Sequence, residues 1–76
     1  MTIKEKTTRY LGKRISKLEE DRRMLNLAIR KKYDSGDYSP AEVEQMKDEV
    51  SFISEELVCL KALNLVWQKH NNLNSL

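Results

Sequence analysis

Near the middle of the chain, Asp34-Ser35-Gly36-Asp37-Tyr38-Ser39-Pro40 holds one of only two glycines and the single proline. Apart from Gly12, everything on either side lacks the residues that stop a helix. One clear break in 76 residues restricts the chain to two long segments joined by a short turn. Gly36 can take the left-handed conformation that ends a helix, and Lys31 and Lys32 before it suit the negative end of a helix dipole. The restart is signalled more strongly. Ser39-Pro40-Ala41-Glu42 has the form of a capping box, with Ser39 as N-cap, Pro40 in the first helical position and Glu42 placed to reach back. Tyr38 and Val43 flank it as a hydrophobic staple. Thr2-Ile3-Lys4-Glu5 repeats the box in weaker form at the start of the first segment.

The apolar spacing makes both segments helical. In the second, Val43, Met46, Val50, Ile53, Leu57 and Leu60 alternate steps of 3 and 4, and Asn64 and Trp67 continue the series. This is the seam of a coiled coil over more than three heptads. In the first, Leu11, Ile15, Leu18, Arg22, Leu25 and Ile29 form a matching seam. A short turn makes the two helices antiparallel neighbours. Residue i then faces about residue 73 minus i, so Ile29 meets Val43, Leu25 meets Met46 or Val50, and Leu11 meets Leu60 or Leu63. The expected fold is all-α: one hairpin domain over 1–76, with helices over 3–33 and 40–71, a turn over 34–39 and a frayed tail over 72–76. Gly12 reads as a mild helix defect of about 1 kcal/mol, or as a place where the helices approach closely.

One partner helix cannot bury all the apolar surface of the second helix. Residues 57–67 read Leu-Val-Cys-Leu-Lys-Ala-Leu-Asn-Leu-Val-Trp, nine of eleven apolar and distributed nearly around the helix. A second seven-residue repeat runs through Phe52, Cys59, Val66 and Leu73, with Leu63 between. Met24, Leu27 and Ala28 make a similar extra patch on the first helix. The expectation is self-association into a homodimer or tetramer, most simply a four-helix bundle, through Phe52, Leu57, Cys59, Leu60, Leu63, Asn64, Val66 and Trp67. Trp67 is the best single anchor on this reading, and Asn64 would set register against its own copy. A membrane-surface helix needs a basic polar face, which an eleven-residue stretch with one Lys lacks.

Charge is divided unevenly. Residues 1–33 carry 11 Lys+Arg and 4 Asp+Glu, whereas 34–76 carry 3 and 8, so balances of +7 and −5 leave the net +2. A basic helix lying on an acidic one favours the antiparallel hairpin. The alternative is a nucleic-acid face made by Lys6, Arg9, Lys13, Arg14 and Lys17, with Tyr10 as the only aromatic among them, turned to this face or to the core. No helix-turn-helix, zinc or single-strand stacking pattern accompanies it. Arg22 interrupts the seam, and its guanidinium is expected to reach Asp48, Glu49 or Glu55.

No residue pattern suggests catalysis, a metal or a cofactor. Cys59 and His70 are 11 residues apart, about 16 Å along a helix. Cys59 reads as a small buried hydrophobe and His70 as a cation at a helix C-terminus. The sequence has no secretory leader pattern and no long apolar run, so a cytoplasmic chain is expected.

The stretch from Leu18 to Leu60 resembles the small bacterial hairpins that dephosphorylate sporulation response regulators. Those also pair a basic first helix, a short turn and an acidic second helix. Their Ser-Gln-Glu-Leu-Asp run has as its nearest counterpart Lys47-Asp48-Glu49-Val50-Ser51, without the Gln and the final Asp. The resemblance therefore implies shape and carries no catalytic residue. The function expected is that of a non-enzymatic interaction module, which self-associates and binds a protein target. Size and fold are shared with small bacterial and phage regulators, inhibitors and adaptors.

Overall fold

A computed structural model describes the backbone of residues 1–74 and the side chains of residues 1–72. The expected placement of the Leu73 side chain and of residues 75–76 lies outside the described residues. Two helices, α1 (Ile3–Ser35) and α2 (Pro40–Asn74), pack along their length into a rod 58 × 20 × 15 Å. Partners across the hairpin show the antiparallel order: 8 with 67, 14 with 56, 19 with 61, 22 with 54 and 32 with 42 have sums from 70 to 80, around the expected 73.

The helix ends follow their local chemistry. Thr2 is extended, and its hydroxyl accepts the Glu5 N–H at 3.1 Å, so the first capping signal is realised. Gly36 has φ 71° and donates its N–H to the Tyr33 carbonyl at 3.2 Å, closing α1 with the left-handed cap. A Cβ there would strain the backbone. Ser39 accepts the Val43 N–H on its carbonyl at 3.1 Å and so opens α2. Glu42, expected to reach back to Ser39, instead pairs with Lys32 at 2.6 Å, because the turn brings that ammonium within reach of its carboxylate. Tyr38 sets its ring edge-on against Tyr33, 4.9 Å between centres, and the Lys47 ammonium lies 5.5 Å from the Tyr33 ring centre. The helices also run past their expected ends, α1 to Ser35 and α2 to Asn74, since nothing in 72–74 breaks the pattern.

The core is the predicted seam. Leu11, Leu18, Val43 and Leu57 are buried, and Ile15, Leu25, Ile29, Met46, Val50, Ile53, Leu60 and Trp67 are half-buried. Four buried aliphatic side chains, at roughly 1.5–3 kcal/mol each, are a thin core for a chain this long. α1 segregates its apolar residues to one side, whereas α2 has almost no such segregation. That asymmetry leaves α2 with apolar surface which α1 does not cover.

Gly12 is not a close-approach site: nothing lies within 4 Å of where its Cβ would stand. It is a helix defect in open space. Gly12→Ala should therefore raise stability by about 1 kcal/mol, a gain of roughly 4–8 °C in Tm for a chain this size. Thermal denaturation followed by circular dichroism, at matched protein concentration, measures it. A lower Tm would mean that the glycine is needed where it is.

Candidate interaction faces

Polar contacts between the helices identify the two edges of the hairpin. Arg14 and Glu56 meet at 3.0 Å on one edge. Glu19 and Lys61 meet at 3.1 Å on the other, where Arg22 also reaches the Ser54 hydroxyl at 3.5 Å. Side chains three, four or seven positions apart share a helix face. Phe52, Cys59, Leu63 and Val66 therefore stand on the Glu56 edge of α2. Tyr10 and Met24 stand with Arg14 on α1. All six are exposed, Phe52 by 69% and Val66 by 63%. This edge is a broken apolar band that crosses both helices, with the Arg14–Glu56 pair in its middle. A shallow groove lined by Gln45, Asp48, Glu49, Phe52 and Ile53 runs along it.

The eight residues expected to mediate self-association divide into two sets. Phe52, Cys59, Leu63 and Val66 are on the surface. Leu57, Leu60, Asn64 and Trp67 turn toward α1, and Leu57 is only 1% exposed. They lie on the seam repeat and also within the all-round apolar stretch 57–67, and the closed hairpin takes them for its own seam. Trp67 in particular is an internal anchor: its indole N–H donates to Thr8 Oγ1 at 2.8 Å, and Thr8 Oγ1 donates to the Lys4 carbonyl at 2.9 Å. The Trp67 ring also lies 6.3 Å from that of His70. Cys59, expected to be buried, is exposed because the hairpin covers only one side of α2. Val58 and Leu65 are exposed away from the Glu56 edge. Met24 and Leu27 of the extra patch on α1 are exposed, and Ala28 is half-buried.

No sequence signal pointed to the Trp67–Thr8 contact, since it joins positions 59 apart. Trp67→Phe keeps the ring and removes the donor. It should cost about 0.5–1.5 kcal/mol, the net value of one such hydrogen bond. Thr8→Val should lose the same amount, and the double variant little more than either. A Tm comparison of the three decides; additive losses would mean that the two residues act separately.

Two of the five cations expected on the basic face have acidic partners. Arg14 is engaged by Glu56, and Lys17 pairs with Asp21 at 3.1 Å. Among the described residues, Lys6, Arg9 and Lys13 make no ion pair; all three are exposed, with Tyr10 beside them rather than in the core. Further along α1, Arg23 donates two hydrogen bonds to Glu20, at 2.6 and 3.2 Å, and holds its carboxyl below the usual carboxylate range. Arg22 does not meet the carboxylates expected for it. Asp48, Glu49 and Glu55 sit within one helical step of Phe52, on or near the opposite edge, and Ser54 is the group level with Arg22 on its own edge.

Among the described residues, no group of three or more His, Cys, Asp or Glu is placed to hold a metal ion. No described helix is long and apolar enough to cross a membrane. Compared with protein families, curated proteins and solved structures, the chain shows no match.

Proposed function

We propose that this chain is a non-enzymatic helical interaction module. Its hairpin is the frame, the apolar band on the Arg14–Glu56 edge joins copies into a dimer of four packed helices, and the remaining faces hold a protein target. The observation that carries this reading is the uncovered apolar surface of α2. Phe52, Leu63 and Val66 are each more than half exposed along one edge, with Tyr10 and Met24 of α1 beside them. Large apolar side chains left exposed together in this way support an interaction site, and association is the usual remedy for a thin core. A role as regulator, inhibitor or adaptor follows from a module that acts by occluding or bridging its target.

The test is the solution mass by light scattering behind a sizing column, over a range of protein concentrations. A dimer or tetramer that persists on dilution is the expected result. A monomer at every concentration would end the self-association reading.

The second reading is nucleic-acid binding, favoured by Lys6, Arg9 and Lys13, which have no acidic partner among the described residues. If these three contact phosphates, the logarithm of affinity should fall with that of salt with a slope of about −2.7, at 0.9 per contact. Fluorescence anisotropy with a labelled duplex measures the slope. The variant with both Arg9→Ala and Lys13→Ala should lose most of the binding. No binding at low salt, or binding untouched by the two substitutions, would exclude this face.

A further inference from the structure

Resting on the reading that hairpins pair with their own kind, we propose the geometry of the pair: α2 of one copy lies antiparallel on α2 of the second, about a two-fold axis at Cys59. Three observations point there. First, Phe52, Cys59 and Val66 are exposed on one line of α2 at intervals of seven, so that Phe52 and Val66 are equidistant from Cys59. A two-fold axis at Cys59 brings Phe52 of each copy level with Val66 of the other, and the two apolar ends close on each other. Second, the charge of α2 is polar along its length. Residues 40–56 hold six Asp+Glu and one Lys, whereas residues 57–74 hold two Lys and no acid. Antiparallel pairing sets balances of −5 and +2 against each other and opposes the helix dipoles. Parallel pairing would stack acid on acid. Reflection through Cys59 brings the Asp48–Glu49 pair level with Lys69 of the second copy. Third, Cys59 lies two residues from the midpoint of α2, which spans Pro40–Asn74, so pairing there overlaps the two helices along nearly their whole length. The groove beside Phe52 then receives Val66 and the stem of Lys69 from the second copy.

Cys59 is the only cysteine in the chain. A bifunctional thiol reagent that spans the roughly 8–10 Å between packed helix axes therefore reads this register without any substitution. With a dimeric mass by light scattering, the unaltered chain should cross-link to dimer almost completely, and the yield should hold over a tenfold dilution. On a Cys59→Ser background, Phe52→Cys and Val66→Cys chains should cross-link when mixed and poorly when alone. All three positions are exposed, and circular dichroism verifies that the hairpin is intact. A dimeric mass with no Cys59 cross-link, or with Phe52→Cys chains linking to each other, overturns this register and leaves self-association standing. A monomeric mass overturns both.

Discussion

Leu57→Ala should destabilise the hairpin by about 3 kcal/mol, within the 2–5 kcal/mol typical of a buried leucine cut to alanine. Leu57 is the most buried side chain of the chain's described part, 1% exposed, near the midpoint of α2. Its loss opens a void that two helices cannot close from other sides. For a small two-helix protein the change is a large share of total stability, and the expected drop in Tm is more than about 10 °C at fixed concentration. Val58→Ala, one residue along and exposed, is the control. It should stay within about 0.5 kcal/mol. Equal losses at 57 and 58 would mean that α2 packs in a different rotation from the one described here.

Phe52→Lys combined with Val66→Lys should do the opposite: leave the hairpin helical and abolish association. Both residues are exposed on the edge away from the seam of α1 and α2, so the folded hairpin loses little. In the proposed dimer each lysine would sit level with another lysine, so that an apolar contact is replaced by two like charges at each end. That costs several kcal/mol, enough to lower association at least a hundredfold. Light scattering reads the change as a halving of mass at micromolar concentration, while circular dichroism reads unchanged helicity. An unchanged mass would place the interface elsewhere. A lost helical signal would show that hairpin folding and association are one event, since an obligate dimer has no stable monomer.

The contrast between positions 57 and 52 shows where sequence reasoning was sufficient. Thr2, Gly36 and Ser39 act within four residues of themselves, through backbone groups that any helix leaves unsatisfied. Their roles are therefore legible from neighbours alone. The seam from Leu11 to Ile29 and from Val43 to Trp67 was legible for a similar reason: a 3–4 alternation can face only one partner. Residues 57–67 are different, because an apolar residue stands in nearly every direction around the helix. Two repeats run through this stretch side by side, and Leu57, Leu60, Asn64 and Trp67 of the first could serve either the hairpin seam or a contact with a second copy. Only the closed hairpin decides that these four meet α1 while Phe52, Cys59, Leu63 and Val66 remain outside. Polar partners across the hairpin escaped for another reason. Arg22 had three carboxylates within reach by residue count, but the rotation of α2 puts them near the other edge and leaves Ser54 opposite. The Thr8 hydroxyl could be paired with Trp67 only once both helices were in place.

By itself, then, the sequence determined two long helices, the turn between them, their antiparallel order and the residues of their common seam. These follow from spacing and capping, which act over a few residues. The tertiary structure decided which apolar residues of α2 the hairpin consumes, and which cations of α1 it neutralises. Those outcomes depend on the rotation of each helix about its axis, and that rotation is set by all the seam contacts together.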